Sequence, residues 1–250
     1  MKAIVLAASF GRSLYPLPRD IPHALIKFEG KTALDHLSGK LDRFPVINEI
    51  IVVCDQKFFP DFREWQSTAA YQKPLRLIHS GCEEPGYHPG GLRDLEFALR
   101  SSSGTAENFL VFCGDGYFDF PLGFFLLPCL GHPDYTFIGF CETGEKSTAS
   151  QPAVAEMDAH GKIVRFEEKF SDLVSTNVNA GVYYIPAKAR ILLMEYLIEA
   201  RRQRPERIGD FMAWLAGRES VYGVVLDGVW LDAGTGRTHE DVMKQVSRAE

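Results

Sequence analysis

The chain opens on a short apolar run, Lys2-Ala3-Ile4-Val5-Leu6-Ala7-Ala8, which breaks directly into Ser9-Phe10-Gly11-Arg12-Ser13-Leu14-Tyr15-Pro16-Leu17. Unbroken hydrophobicity over so few residues fits a strand buried on both faces, and such strands belong to sheets covered by helices. A small-residue loop after a buried strand lets backbone N–H groups approach a phosphate. The same alternation continues down the chain. Residues 33–41 carry helical spacing, Glu49–Cys54 reads as a buried strand and residues 75–78 as another. Residues 91–99 start a helix, and Phe109–Cys113 is a further apolar strand ending at Gly114-Asp115. Alternating strands and helices call for a mostly parallel sheet with helices on both faces.

The second half changes character. Short strands are expected at residues 153–157, 163–166 and 181–185, with Asp158-Ala159-His160-Gly161 as a turn between the first two. Helices follow over about 187–202 and 208–216, then a strand at 221–225 and a polar helix from about Thr238. Without internal repeats or a Pro-, Gly- or Ser-rich linker, one domain over residues 1–250 is the expectation.

Composition narrows the function. With 250 residues, 46% of them hydrophobic and 24% charged, the chain has the makings of an ordinary globular core. A net charge of −6 with no basic block argues against nucleic acid and against a polybasic membrane anchor. No apolar stretch approaches the ~20 residues of a membrane-spanning helix. Residues 2–6 lead straight into the loop, as a strand does and a signal peptide does not. The five scattered cysteines lack metal-type spacing, so reduced thiols and a cytoplasmic location are expected. The aromatic run Phe118, Phe120, Phe124 and Phe125 reads as core packing. There is no G-x-S-x-G elbow, P-loop or H-E-x-x-H.

The N-terminal segment resembles the signature of the sugar-phosphate nucleotidyltransferases, LAAGxGTRLxPLTxxxPKxL, a family that includes the glucose-1-phosphate thymidylyltransferase-like enzymes. Leu6, Ala7, Ala8, Gly11, Leu14, Pro16, Leu17, Pro22 and Leu25 are kept, and Ser9, Arg12, Ser13, Pro18 and His23 depart. Further matches follow in the family's order. Asp115 ends a strand, where α/β sheets place ligands. Residues 228–235, Gly-Val-Trp-Leu-Asp-Ala-Gly-Thr, look like the family's GxWxDxGT segment around Asp232. Residues 161–169 are similar to its G-x-I-x-x-F-x-E-K-P run, matching up to Glu168-Lys169, with Phe170 in place of the proline. Asn179-Ala180-Gly181 stands where the family has a small residue and Gly beside the sugar.

The resemblance implies a three-layer α/β/α Rossmann-like (GT-A-like) fold with a mixed, mainly parallel sheet. It implies transfer of a nucleotidyl group from a nucleoside triphosphate to a sugar-1-phosphate, with Mg²⁺ held by Asp115 and Asp232. Two carboxylates and phosphate oxygens suit that hard ion. Leu6, Ala7, Ala8, Ser9, Gly11 and Gly91 would meet the nucleotide; Glu168, Lys169, Asn179 and Gly181 would meet the sugar phosphate; Arg12, His23 and Asp115 would serve catalysis. A homo-oligomer is compatible with this reading, and the left-handed β-helix tail of some relatives is expected to be absent.

The departures point the other way. Ser13 and His23 stand where the family has its phosphate-handling Arg and Lys. Arg12 and Lys27 are the nearest substitutes in sequence. Ser9 replaces a glycine, and the family's base-reading glutamine has no counterpart around Cys82 or Gly86. A competing class is therefore a pseudoenzyme that binds nucleotide or sugar nucleotide as a regulatory or assembly subunit.

Overall fold

The computed structural model describes residues 1–8, 22–28, 30–79, 90–102, 107–114, 116–142, 153–167, 176–202, 207–228 and 230–232. In chain order these form β1 (Lys2–Leu6), a 3-10 turn (His23–Leu25), β2 (Lys27–Phe28), β3 (Lys31–Thr32), α1 (Ala33–Asp42) and β4 (Glu49–Cys54). A second 3-10 turn (Gln56–Phe58) leads to α2 (Phe59–Thr68), β5 (Leu75–His79), α3 (Gly91–Ser101), β6 (Phe109–Cys113), β7 (Gly116–Phe118) and α4 (Leu122–Gly131). The remainder comprises β8 (Thr136–Glu142), β9 (Val154–Met157), β10 (Ile163–Glu167), β11 (Asn177–Ile185), α5 (Ala189–Glu199), a 3-10 turn (Ala200–Arg202), α6 (Ile208–Ala216), β12 (Val221–Leu226) and β13 (Trp230–Asp232). The fold is α/β, with mixed, mainly parallel strand pairing, as expected. Among the described residues no helix is long and apolar enough to cross a membrane.

The chain divides into two compact units. One consists of Met1–Pro89, Phe112–Phe120 and Gly228–Glu250. Its sheet pairs β1 with β4 and β4 with β5, all parallel. Ala3, Ile4, Val5 and Ile50 to Cys54 have no solvent exposure, which is why both strands read as continuous apolar runs. At the start of these strands Glu49 pairs with Lys2 at 3.1 Å and with Arg76 at 2.9 Å, tying three neighbouring strands together.

Helix α1 buries Leu34, Leu37 and Leu41, an i, i+3, i+7 stripe. It starts with a capping box: Asp35 N–H donates to Thr32 Oγ1, and Thr32 N–H donates to Asp35 Oδ2 at 2.9 Å. The same carboxylate accepts from Trp65 Nε1 at 2.8 Å and from Tyr71 OH at 3.0 Å. One side chain thereby holds the helix start, α2 and the segment after α2.

The other unit consists of Gly90–Val111 and Pro121–Asp227. Within it β8 pairs antiparallel with β11 and parallel with β12, while β9 joins β10 and β11 antiparallel. Phe109, Phe125, Phe140, Tyr184 and Phe211 are among its largest fully buried side chains. Asn108 fastens the unit, giving Nδ2 to Tyr184 OH at 2.6 Å and taking Ala187 N–H on Oδ1 at 2.9 Å.

Most elements fall where the sequence puts them, but several were not foreseen. Helix α4 is apolar all round and contains Pro128, so it shows neither polar face nor clean period. It also corrects the aromatic reading. Phe118, Phe120 and Phe125 are buried, whereas Phe124 is 70% exposed, because the stripe Leu122, Phe125, Leu126 and Cys129 leaves Phe124 on the opposite face. The helix expected from residue 187 begins at Ala189 and tightens into a 3-10 turn at its end. The polar helix expected from Thr238 lies outside the described residues. Cys54, Cys113, Cys129 and Cys141 are in no disulfide; Cys82 lies outside the described residues.

Burial would raise the Asp35 carboxyl pKa, but hydrogen bonds from Thr32, Trp65 and Tyr71 outweigh it and leave it below its ordinary 3.8. The folded state thus binds this proton less readily than the unfolded chain does. Its stabilisation is full above the ordinary value and is lost as pH falls through the folded one. Asp35→Ala is expected to cost about 2–4 kcal/mol in urea unfolding at pH 7, from a lost cap and two orphaned donors. The difference from wild type should shrink below about pH 4.

Candidate functional site

In the first unit the end of β1 is set by two backbone bonds. Ala7 N–H donates to Val53 O at 2.7 Å, and Gly114 N–H donates to Leu6 O at 2.8 Å. Leu6, Ala7 and Ala8 are buried, so their side chains belong to the core. Gly114 lies against them with no space for a side chain. A Cβ there would stand 2.9 Å from Leu6 O, 3.1 Å from Ala7 Cα and 3.1 Å from Val5 Cγ1. Glycine is what lets the strand ending at Cys113 close onto β1.

Two residues on, β7 pairs antiparallel with β13. Trp230 stands opposite Phe118, Leu231 opposite Tyr117 and Asp232 opposite Gly116. The backbone of Asp232 is therefore beside the residue that follows Asp115, although the two are far apart in sequence. Asp115 and the side chain of Asp232 lie outside the described residues. Among the described residues no three His, Cys, Asp or Glu side chains converge for a metal.

Helix α1 packs on β7. Lys40 Nζ donates to Phe118 O at 2.6 Å and stands 4.6 Å from the centroid of the Phe118 ring. The His36 ring meets Tyr117 edge-on at 5.3 Å. Burial pushes the Lys40 ammonium down to about 8; the nearby Asp119 carboxylate opposes this and Arg43 adds to it. Lys40 went unnoticed in the sequence because it sits beside the Leu37–Leu41 stripe as an ordinary helix-flank lysine.

His23 is 5% exposed in its 3-10 turn, and Lys27 is exposed on β2. Ser9, Gly11, Arg12 and Ser13 lie outside the described residues.

In the second unit Gly91 is the first residue of α3, after Gly90, which offers no side-chain cap. The first-turn amides of a helix lack intrahelical acceptors and suit a negatively charged group. On β11, Asn179 and Gly181 form one device. The register against β8 slips between Asn179 and Val182, leaving Ala180 and Gly181 as a bulge, with Gly181 at φ +69°. Buried Asn179 spans it, accepting Gly181 N–H on Oδ1 at 2.9 Å and donating Nδ2 to Tyr183 OH at 2.8 Å. One amide hydrogen and one lone pair remain for other partners. The sequence marked Asn179 and Gly181 but not Tyr183, whose role appears only through the bulge. Glu168 and Lys169 lie outside the described residues.

Two substitutions probe these geometries. Gly114→Ala should lower stability by about 1–3 kcal/mol, since the new Cβ would meet backbone and a β-branched side chain that cannot yield freely. Asn179→Ala should cost a similar ~1–3 kcal/mol by removing the acceptor of Gly181 N–H and the donor to Tyr183 OH. Chemical denaturation checks both.

The chain resembles known proteins over nearly its whole length. It is 26% identical over 245 residues to mannose-1-phosphate guanylyltransferase 1 of Arabidopsis thaliana, covering 96% of this chain and 63% of that protein. It is 28% identical over 237 residues to the mannose-1-phosphate guanylyltransferase catalytic subunit beta of Danio rerio, covering 94% and 61%. The chain thus spans less than two thirds of the length of these curated relatives. Among solved structures, a Bacillus anthracis protein assigned as a glucose-1-phosphate thymidylyltransferase, in complex with sucrose, superposes with a TM-score of 0.78 at 19% identity. That match covers 99% of this chain and 94% of the other, and establishes likeness of fold. The sequence profile of the nucleotidyl transferase family matches residues 2–248, and the chain belongs to that family.

Proposed function

We propose that this chain transfers a nucleotidyl group from a nucleoside triphosphate to a sugar-1-phosphate, giving a nucleotide sugar and pyrophosphate. The observation that carries the reading is the register of β7 on β13. It sets Asp232 opposite Gly116, one residue after Asp115 and two after the glycine bonded to the end of β1. Relatives over most of the chain are named mannose-1-phosphate guanylyltransferases, which join a nucleotide to a sugar phosphate. The family profile crosses both compact units, in keeping with one functional domain over residues 1–250. We place the activity in the cytoplasm, without nucleic acid or membrane as partner, and a homo-oligomer fits the same reading.

In the reaction an oxygen of the sugar phosphate attacks the α-phosphorus, the bond to the bridging oxygen breaks, and pyrophosphate leaves with the electron pair. Asp115 and Asp232 are the residues that would hold Mg²⁺, as two anionic oxygen donors suited to a hard ion. The chemistry such an ion supplies is neutralisation of charge at the phosphate oxygens. The segment Leu6, Ala7, Ala8, Ser9 and Gly11 would meet the triphosphate, the N–H of Ala7 itself being given to Val53 O, and Gly91 would add a helix N-terminus for the nucleotide. We assign Arg12 and His23 to the charge that develops in the reaction. Glu168 accepts from sugar hydroxyls, Lys169 neutralises the sugar phosphate, and the bulge at Asn179 and Gly181 shapes the sugar side. Positioning and charge account for most catalysis of this kind, so the order of these groups matters more than any one base.

The test is pyrophosphate release by the purified protein with Mg²⁺, each nucleoside triphosphate and a panel of sugar-1-phosphates. Release is expected with at least one pair. Asp115→Asn and Asp232→Asn should each lower it by about 10²-fold or more. Nucleotide binding by calorimetry with no release for any pair would identify a nucleotide-binding subunit and sink the transferase reading.

A further inference from the structure

We infer that Lys40 is a positioning residue for the carboxylate pair, fixing β7, and through it the β13 strand carrying Asp232, against helix α1. The inference rests on the proposed metal role of Asp115 and Asp232.

The β7–β13 ladder needs outside support. It matches three residues with three, forms a separate two-stranded sheet, and joins segments roughly a hundred residues apart. Two strands alone are marginal in water. Helix α1 supplies the support from His36 and Lys40, one turn apart on the same face. His36 meets Tyr117, the partner of Leu231 in the ladder; Lys40 holds Phe118, the partner of Trp230. The Phe118 ring is itself stacked on Phe120 at 4.1 Å and on Phe112 at 5.9 Å, so its carbonyl is presented to Lys40 from a fixed place. The next residue of β7 toward its start, beyond Tyr117, is Gly116, which faces Asp232.

Burial disfavours the ammonium at position 40, while the nearby Asp119 carboxylate favours it. Lys40 makes its contacts against the cost of its own desolvation. What it does provide is a charged donor to a carbonyl on the strand that leads out of Asp115. Its effect is local: it sets where the carboxylate-bearing backbone lies.

The experiment measures Mn²⁺ binding to the nucleotide-free protein by electron paramagnetic resonance, alongside backbone amide exchange read residue by residue. Lys40→Met is expected to weaken Mn²⁺ binding by about 10-fold or more, the scale for loss of a group that orients a metal ligand. Amides of Gly116–Phe118 and Trp230–Asp232 should exchange faster while those of β1 and β4 stay unchanged. Lys40→Arg, which keeps a charged donor, should recover binding. Lys40→Gln serves as the neutral variant if the methionine form does not fold. Wild-type-like Mn²⁺ affinity with unchanged exchange at β7 and β13 overturns the inference. Faster exchange spread evenly over β1, β4 and β5 also overturns it, because that is general destabilisation. Asp232→Asn separates the two levels. If it binds Mn²⁺ like the wild type, the metal assignment fails and the Lys40 role with it. If it loses Mn²⁺ while Lys40→Met does not, the Lys40 role alone fails.

Discussion

The hydrogen bond from Gly114 N–H to Leu6 O, made possible by the absence of a side chain at Gly114, is the contact on which the rest of the candidate site depends. It fixes where β1 ends and its loop begins, and it fixes where the strand leading to Asp115 stops. A side chain at position 114 would push on the backbone of Leu6 and Ala7, so the contact permits little give. Both of its ends are main chain. It therefore survives substitutions in the loop that alter charge, which is how a chain can keep this architecture while its loop side chains change.

What could be read in advance follows from how locally each element is determined. β1, β4 and β6 are buried along their length, so their hydrophobicity is continuous and unmistakable. Helix α3 buries Leu92, Leu95 and Leu99 at helical spacing, so its apolar stripe was equally plain. Helix α2 buries only Phe62 and Trp65 and starts around Pro60, too sparse a stripe to stand out. Strands β7 and β13 are three residues each and exist because they find one another across the chain, which no window of sequence reveals. The candidate site divides in the same way. Asn179 and Gly181 could be marked by their order in a motif, but the commitment of Asn179 to bridging a bulge depends on the register slip against β8. Lys40 was invisible because its target, a main-chain carbonyl of Phe118, has no sequence signature.

The substitution of His23 for the family's lysine looks different once its burial is known. At 5% exposure the position is enclosed, and a full ammonium there would need a partner charge to offset its lost hydration. An imidazole fills the same place without carrying an obligatory charge. The exchange fits a local packing that no longer relies on a buried cation. Lys27, exposed on β2, is not enclosed in that way.

If transfer proceeds as proposed, less side-chain charge at the triphosphate shifts the burden onto what remains. Backbone N–H groups supply partial charges that no substitution of a side chain removes. Arg12 and a carboxylate-held divalent ion supply the full ones. An enzyme arranged in this way depends on the geometry of its two aspartates more steeply than a relative with an intact Arg and Lys. That geometry rests in turn on a three-residue ladder propped by one helix. Support of the ladder by α1 then bears directly on chemistry, because a shift of the ladder moves the backbone of Asp232.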